Sequence, residues 1–378
     1  KYTVFKFFKM ATPFTYPFLG ENTCKYRDEL IATAQQICAA GKGILAADES
    51  TGTIGARFKA ISVENTQENR REYRKLLFTA PGLENSVSGC ILFEETLFDK
   101  DAETGEPLIK PLQDKGIVIG IKVDKGTKNI PFTDNETYTQ GLTDLDVRCK
   151  QYYEAGARFA KWRAVLRISR GTPTDAAIKE NAETLAKYAA ICQMNGLVPI
   201  VEPEILMDGD HSLEIGQYWT TKVVAECYYQ LCKYHVILEG TLLKPNMVAP
   251  GQDCPDRPTP EQVAKATLTA LSRSVPPAMP GVVFLSGGQS EEEATVHLNA
   301  INQLKTKAHP WSLTFSYGRA LQKTCLDVWQ GKKENFAAAQ KALIIRANAN
   351  GAAQKGEYKG EAASKEATES LYVSNYKY

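Results

Sequence analysis

Eight short apolar segments, rich in β-branched residues, recur along the chain with helical patterns between them. Each segment is nearly continuous in apolar residues rather than alternating, which is typical of strands buried on both faces of a parallel sheet. Strands that alternate with helices indicate an α/β fold, and eight such units favour closure into a (β/α)8 barrel over an open doubly wound sheet. The predicted strands are residues 43–48, 87–94, 117–123, 158–165, 197–204, 236–244, 282–286 and 312–317.

Helical periodicity fills much of the chain between these strands. The helix predicted at residues 260–273 has Thr259 as its expected N-cap and Pro260 in its first turn. A further helix at residues 26–39 precedes the first strand. The helices predicted between the strands are residues 64–78, 174–195, 212–234, 260–273 and 291–304, and those after the last strand are 320–330 and 334–349.

The pattern divides the chain into three parts. Residues 1–25 are aromatic and lysine-rich and are expected to form a flexible N-terminal extension. Residues 26–350 contain the extra helix, the barrel and a C-terminal helical extension. From residue 351 to 378 the composition shifts to Gly, Ala, Lys, Glu, Ser and Tyr, which predicts a mobile tail without a core of its own.

Composition argues against several classes of partner. The 378 residues carry a net charge of +1, so no global field favours nucleic acid or an anionic membrane surface. Uninterrupted apolar runs fall short of the ~20 residues that a membrane helix needs. Nine cysteines are scattered without a CxxC pair, which is typical of reduced thiols in a cytoplasmic protein.

Ionisable side chains stand at the carboxyl ends of most predicted strands, where the functional face of such a barrel lies. Burying so many charges in one cavity costs more than burying apolar residues would, so stability alone does not account for them. We therefore interpret them as a functional cluster. Its members are Asp48, Lys122, Lys161, Arg163, Glu202, Glu204 and Lys244.

Lys244 closes the sixth predicted strand, directly after two leucines. Burial lowers the pKa of a lysine, and the neutral amine is the form that attacks a carbonyl carbon to give a Schiff base. Lysines grouped with carboxylates therefore predict carbon–carbon or carbon–nitrogen chemistry on a carbonyl substrate. The chain has four histidines, none in a tight ligand spacing, so we expect no metal and no cofactor.

Glycine-containing turns follow the seventh and eighth strands, at Ser286-Gly287-Gly288 and Ser316-Tyr317-Gly318-Arg319. Loops at these two positions are the recurrent phosphate site of (β/α)8 barrels, because backbone N–H groups can approach the anion closely. The lysines and arginines at the strand ends suit a sugar that carries anionic groups. The sequence thus predicts a sugar-phosphate substrate.

Taken together, these motifs resemble the class I fructose-1,6-bisphosphate aldolases, the Schiff-base enzymes of glycolysis. They occur in family order from about residue 26 to the carboxyl end. The resemblance implies a TIM barrel, a cytoplasmic homotetramer and reversible cleavage of fructose 1,6-bisphosphate to dihydroxyacetone phosphate and glyceraldehyde 3-phosphate. The motifs are GKGILAADEST (41–51), GCILFEETL (89–97), GIKVDKG (120–126), GARFAKWRAV (156–165), LVPIVEPEIL (197–206), LEGTLLKPNMV (238–248), FLSGGQS (284–290) and FSYGRALQ (315–322).

The resemblance also implies roles for the residues that react. Lys244 would be the Schiff-base lysine, and Glu202, with Glu204 beside it, the general acid and base of carbinolamine dehydration. Asp48 would accept the proton of the C4 hydroxyl during cleavage. Lys161 would hold the carbinolamine and Asp48 in place, and Lys122 would support the cleaved hydroxyl.

The remaining implied roles concern substrate binding and the tail. Arg163 resembles a contact to one phosphate, and Arg57 resembles a mobile-helix contact to the other phosphate pocket. The C-terminal Tyr378 resembles the tyrosine whose tail visits the site for proton exchange at the enamine. The other members of the phosphate pocket are Thr53, Ser286, Gly287, Ser316, Gly318 and Arg319.

The chain departs from the family pattern at two places. After ADESTG the family commonly has Ser and then Lys-Arg, whereas this chain has Thr53 for the serine and Ala56 for the lysine, leaving Arg57 alone. The tail ends in SNYKY where SNHAY is common, so Tyr376 replaces a histidine. We expect a weaker hold on one phosphate and altered kinetics of tail closure.

Two alternative functions can be considered. The sequence argues against the first and does not decide the second. Another Schiff-base barrel, such as transaldolase or deoxyribose-phosphate aldolase, does not account for the order of the motifs or for the terminal tyrosine. A binding scaffold is a hypothesis of a different class: aldolases of this type also bind actin and, in some parasites, acidic cytoplasmic tails of adhesins. The same basic cleft would serve, so sequence does not separate that use from catalysis.

Overall fold

A closed barrel of eight parallel strands forms the centre of the computed structural model, which describes residues 24–376. Around the barrel the strands follow the order β1-β10-β9-β8-β7-β6-β3-β2, with helices between them, so the predicted (β/α)8 fold is confirmed. The barrel strands are β1 (Gly43–Ala47), β2 (Val87–Leu92), β3 (Val118–Lys122), β6 (Phe159–Leu166), β7 (Val198–Ile205), β8 (Leu242–Leu243), β9 (Gly281–Phe284) and β10 (Ser312–Tyr317).

A small antiparallel hairpin lies outside the barrel, after β3. It consists of β4 (Thr127–Asn129) and β5 (Thr137–Thr139), and the sequence patterns did not predict it. Three-residue strands are too short to show an apolar periodicity, which is why the hairpin escapes a pattern search.

The sixth barrel strand is much shorter than predicted. Instead of a strand over 236–244, the chain makes a 3₁₀ turn at Leu238–Gly240 and then the two-residue strand β8. Gln193 satisfies the backbone there, because its amide donates to the carbonyls of Ile237 (2.8 Å) and Gly240 (3.1 Å) and accepts from the Ile237 N–H (2.9 Å). A side chain thus replaces the neighbouring strand as hydrogen-bond partner.

Each predicted helix is present within five residues of its predicted bounds, whereas the helices at Thr51–Ala60, Glu94–Phe98, Lys110–Asp114 and Leu145–Glu154 were not predicted. Thr259 caps its helix as predicted and forms a capping box with Gln262, while Ser290 does the same with Glu293. None of the helices in residues 24–376 is long and apolar enough to cross a membrane. The helices are α1 (Arg27–Ile37), α2 (Thr51–Ala60), α3 (Gln67–Thr79), α4 (Glu94–Phe98), α5 (Lys110–Asp114), α6 (Leu145–Glu154), α7 (Asp175–Met194), α8 (Leu213–Lys233), α9 (Pro260–Ser274), α10 (Glu291–Leu304), α11 (Arg319–Trp329) and α12 (Phe336–Gln354).

The barrel interior is apolar at the end where the strands begin. Phe159, from the start of β6, fills the centre, and Gly120 leaves room for it: a Cβ at Gly120 would lie 2.3 Å from the ring. Leu30, Ala34 and Ile37 of α1 pack against these interior residues. The extra N-terminal helix therefore closes this end, and the opposite end, where the strands finish, is the open mouth.

The C-terminal segment continues past the predicted helical extension. Helix α12 runs to Gln354, and Arg346 within it donates to the Ala362 carbonyl (3.1 Å) and pairs with Glu292 (3.2 Å). Tyr358 and Glu369 then contact helices α10 and α11, and residues 371–376 reach the mouth of the barrel. The predicted N-terminal extension, apart from residues 24 and 25, and Tyr378 lie outside the described residues.

Candidate active site

The inward-facing positions of the strands are apolar near the start and ionisable near the end. Successive residues of a strand point to opposite faces, so every second residue faces the interior. In β6 the interior set is Phe159, Lys161 and Arg163; in β7 it is Val198, Ile200, Glu202 and Glu204. Asp48, Lys122 and Lys244 occupy the equivalent ends of β1, β3 and β8. The alternation that builds the barrel therefore brings these seven side chains to one mouth.

Lys161 lies at the centre of the cluster and is fully buried. Its Nζ is 2.8 Å from Asp48 Oδ2 and 3.5 Å from Glu202 Oε2. The other oxygen of Glu202, Oε1, is 3.5 Å from the Nζ of Lys244. One glutamate thus links the two lysines, and each member of the cluster has an opposite charge within reach, which is the condition for tolerating buried charges.

Asp48 is ionised at neutral pH although it is buried. Burial raises the pKa of its carboxyl group, but the charges of Lys161, Lys244 and Lys122 outweigh burial and lower the pKa to about 2. Asp48 can therefore accept a proton without first losing one. Lys122 itself is also paired, with Asp124 Oδ1 at 3.5 Å from its Nζ.

Glu204 is bound to Arg163, whose Nε donates to Glu204 Oε2. Burial raises the pKa of Glu204, but the guanidinium of Arg163 outweighs burial, and the net shift is downward. The pair is almost completely buried. Glu204 thus orients Arg163 at the mouth, next to the lysine cluster.

A cavity of about 60 Å³ lies beside these residues, at the predicted phosphate loops. Gly287 and Gly288 have positive φ angles of 58° and 99°, which lets the loop turn tightly over the cavity. Ser316 Oγ is buried and has no hydrogen-bond partner among residues 24–376, so it is available to a ligand. The residues that line the cavity include Asp48, Glu202, Glu204, Lys244, Ser286, Gly287, Ser316, Gly318, Arg319, Arg57 and Tyr376.

Arg57 reaches the cavity from α2, and Glu49 holds it there. Glu49 pairs with Arg57 and, at 2.8 Å, with Arg74. Glu49 was not predicted as a site residue; it lies beyond the end of β1, and its arginine partners are distant in sequence. Thr53 lies elsewhere: its hydroxyl is 3.1 Å from Ser50 Oγ, and it lines a second cavity of about 650 Å³ between α2, α11 and the tail.

The tail reaches the mouth through Tyr376. Its ring centroid is 4.3 Å from the guanidinium of Arg319 and 5.3 Å from that of Arg163, and its carbonyl accepts from Arg163 at 3.1 Å. Sequence analysis identified Tyr376 as a departure from the family but gave it no contact. Tyr378, to which the tail function was assigned, lies outside the described residues.

Metal-binding geometry does not occur in the described part of the chain, since no group of three or more His, Cys, Asp or Glu side chains within residues 24–376 could hold an ion.

Comparison with known proteins gives consistent matches. The family model for class I fructose-bisphosphate aldolase matches residues 29–378. Cytosolic fructose-bisphosphate aldolase 4 of Arabidopsis thaliana is 61% identical over 351 residues, which cover 93% of this chain and 89% of that one. Human fructose-bisphosphate aldolase C is 55% identical over 368 residues, covering 97% of this chain and all of the human protein.

A solved structure agrees with the sequence matches. Fructose-bisphosphate aldolase from Plasmodium falciparum, solved in complex with TRAP and a small-molecule inhibitor, superposes with a TM-score of 0.87 at 58% identity, covering 89% of this chain and 96% of that one. Several relatives are named as cytosolic or cytoplasmic enzymes, which confirms the predicted location. Matches over nearly the whole chain, in sequence and in fold, show that it belongs to the class I fructose-bisphosphate aldolase family.

Proposed function

We propose that Lys244 is the amine through which this glycolytic and gluconeogenic lyase cleaves fructose 1,6-bisphosphate reversibly. The observation that carries the proposal is the Lys244–Glu202–Lys161–Asp48 chain, in which a buried amine, a shared carboxylate and an ionised aspartate lie in contact. Lys244 attacks the C2 ketone, and loss of water from the resulting carbinolamine gives a protonated imine. Glu202, 3.5 Å from the amine, takes the proton that the ammonium of Lys244 must lose before attack, and returns it to the carbinolamine hydroxyl, which leaves as water.

Asp48 is the base for the carbon–carbon step. It takes the proton of the C4 hydroxyl, the C3–C4 bond breaks, and the bonding electrons move into the imine to give an enamine. Glyceraldehyde 3-phosphate leaves; protonation of the enamine and hydrolysis of the imine then release dihydroxyacetone phosphate. Positioned proton transfer contributes roughly 10²–10⁴-fold at each such step. Lys161 holds Asp48 ionised and in place, and Lys122 adds positive charge beside the departing oxygen.

The two phosphates would lie at opposite ends of the site. Arg163, oriented by Glu204, binds one, and the loop atoms of Ser286 and Gly287 with Ser316, Gly318 and Arg319 bind the other. Arg57 approaches the second phosphate-binding site from α2. Clamping both ends orients the ketone against Lys244, and this orientation lowers the barrier without touching the reacting bond.

Borohydride trapping tests the assignment. Reduction in the presence of fructose 1,6-bisphosphate should attach the sugar phosphate covalently to Lys244, and Lys244→Met should abolish labelling. Lys125→Met is the matched control, because Lys125 is half-exposed and pairs with Glu94 outside the cluster. Labelling of another lysine, or cleavage that EDTA abolishes, would contradict the Schiff-base assignment.

We propose further that four copies of the chain assemble. Large apolar side chains on α8 are exposed, among them Ile215 (44%) and Tyr218 (56%), and Phe132 in the hairpin loop is fully exposed. Such residues are typical of surfaces that a second copy covers. Sedimentation equilibrium should give a tetramer that Ile215→Asp with Tyr218→Asp dissociates, whereas Lys341→Asp, at an exposed polar position of α12, leaves it intact; a monomeric unmodified chain would refute the proposal.

The scaffold role remains a secondary prediction. The Plasmodium relative was solved with TRAP, and the basic mouth of this chain offers arginines to an acidic peptide. No contact of the described residues favours actin or an adhesin tail over the sugar phosphates. A cytoskeletal or adhesin-tail pull-down that survives saturation with fructose 1,6-bisphosphate would support a separate surface.

A further inference from the structure

The C-terminal tail crosses the barrel mouth in three contacts. Leu371 comes first: its N–H donates to the Gly288 carbonyl at 3.1 Å, and its own carbonyl accepts from Arg319. The backbone of the tail packs closely there, since a Cβ at Gly288 would lie 3.1 Å from Tyr372 Cα. Residues 372–375 form the second contact, on the loop after β7, and Tyr376 forms the third.

The second contact converges on one carboxylate oxygen. Asp208 Oδ1 accepts from the Tyr372 hydroxyl at 2.9 Å, from the Ser374 hydroxyl at 3.1 Å and from the Asn375 N–H at 2.6 Å. Asp208 is buried with the tail in place. Hydrogen bonds to an ionised acceptor are stronger than those between neutral groups, so this oxygen, with three donors, is a strong polar anchor of the segment.

Asp208 belongs to the barrel and not to the tail. Its loop is fixed by backbone hydrogen bonds from the segment after β8: Gln252 N–H donates to Met207 O (2.6 Å) and Asp253 N–H to Gly209 O (2.9 Å). Gly251 makes this approach possible, because a Cβ there would lie 2.1 Å from the Gly209 carbonyl oxygen. The backbone that carries the carboxylate is therefore fixed by hydrogen bonds that do not involve the tail.

The third contact places an aromatic ring where a phosphate would bind. The Tyr376 ring lies over the guanidinium of Arg319 and near that of Arg163, the two arginines proposed to bind opposite phosphates of the substrate. Tyr376 also contributes to raising the pKa of Arg57, although burial acts against it. A ring and a phosphate cannot occupy the same faces of these cations at once.

We propose that Asp208 is the latch that docks the tail and that Tyr376 competes with substrate phosphate for Arg163 and Arg319. The inference rests on the proposed function, because it takes those arginines as phosphate ligands. If the closed tail excludes phosphate, the apparent dissociation constant equals the intrinsic one divided by the fraction of molecules with the tail open. Loosening the latch or removing the ring then tightens phosphate binding.

Calorimetric titration of the full chain with inorganic phosphate tests the proposal. Asp208→Ala and Tyr376→Ala should each lower the dissociation constant for phosphate at least about threefold, a change that corresponds to an open fraction of one third or less in the unmodified chain. Asp208→Asn, which keeps an acceptor oxygen, should give an intermediate value. The double variant should bind as Tyr376→Ala does, because Asp208 acts through the ring.

The matched control is Asp210→Ala, in the same loop but exposed and not bonded to residues 370–376; it should leave the constant unchanged. Unfolding of Asp208→Ala would not tighten phosphate binding, so a structural defect gives the opposite result. Unchanged or weaker binding in either Asp208→Ala or Tyr376→Ala overturns the inference. The premise is tested separately: Arg319→Ala added to Tyr376→Ala must weaken phosphate binding, and failure there refutes the phosphate assignment itself.

Discussion

Replacing Lys161 with methionine removes the only positive charge that lies between Asp48 and Glu202 at ion-pair distance in the described residues. At an effective dielectric constant of 20, the 2.8 Å contact to Asp48 corresponds to about 6 kcal/mol of attraction and the 3.5 Å contact to Glu202 to about 5 kcal/mol. The cost of burying the charges offsets most of this, and removing one partner of a buried pair costs about 3–5 kcal/mol in stability. We expect Lys161→Met to lower the free energy of unfolding by an amount in that range.

The sign of the pH dependence follows from Asp48. Its pKa of about 2 in the folded chain is below the ordinary 3.8, so this carboxylate stabilises the native state above the ordinary pKa, and the contribution is lost as pH falls towards 2. Without Lys161, burial is opposed only by Lys244 and Lys122, so the pKa of Asp48 should rise. The stability deficit of the variant is therefore largest above about pH 5 and shrinks as the pH falls.

Activity measurements give the decisive test. A protonated Asp48 cannot act as a base, so the ratio of kcat/KM between Lys161→Met and the unmodified enzyme should rise by about tenfold for each pH unit through the new pKa. Lys110→Met is the control: its pair with Asp114 is exposed and should contribute about 0.5 kcal/mol or less, with no effect on the profile. A ratio that does not change between pH 5 and 9 would refute the claim that Lys161 controls Asp48.

Three further outcomes can be measured with purified variants. Ala56→Lys adds a cation beside Arg57 in the 650 Å³ cavity, so the KM for fructose 1,6-bisphosphate should fall roughly two- to fivefold; an unchanged KM contradicts the reasoning. His297 has a pKa lowered by burial from 6.5 to about 4, so it stabilises the fold at neutral pH and the contribution disappears as pH falls from about 7 to 4. Denaturant melts of His297→Gln should show about 3 kcal/mol less acid destabilisation over that range than the unmodified chain; equal slopes refute the assignment. Thr259→Ala breaks a capping box and should cost about 1 kcal/mol in urea unfolding, whereas Thr269→Ala, at a partly exposed position of the same helix, should change stability by less than about 0.5 kcal/mol.

The barrel was predictable because its strands are buried on both faces. Continuous apolar runs such as those of β6 and β7, in which all eight residues are buried, leave little ambiguity about a parallel sheet. The same regularity placed the site: in any closed parallel barrel, side chains two apart at strand ends share the interior, so Lys161 with Arg163 and Glu202 with Glu204 had to meet. The local sequence pattern was sufficient to predict the position of a side chain wherever secondary structure alone determines that position.

The elements that escaped prediction depend on contacts between distant segments. Gln193, 44 residues before Ile237, replaces strand pairing at the start of β8, and no periodicity in 236–244 reports this. No sequence pattern distinguishes Asp208 from other acidic residues in loops. It anchors the tail only because three donors from residues 372–375 converge on it. The position of Tyr376 between two arginines follows from that anchor and from the course of the tail, both set by tertiary structure.

The distribution of charge favours an anionic ligand over a neutral sugar at this mouth. Lys161 and Lys244 share Glu202, and Arg163 is neutralised by Glu204. Arg319 differs, because no carboxylate oxygen of residues 24–376 forms an ion pair with it; burial lowers its pKa, and the nearby cations Arg57 and Arg163 add to that shift. A buried cation without an anion is unstable, and the molecule relieves this with a carbonyl and an aromatic ring from its own tail. A dianionic phosphate would stabilise this guanidinium more strongly, so we expect the substrate to displace the tail from Arg319.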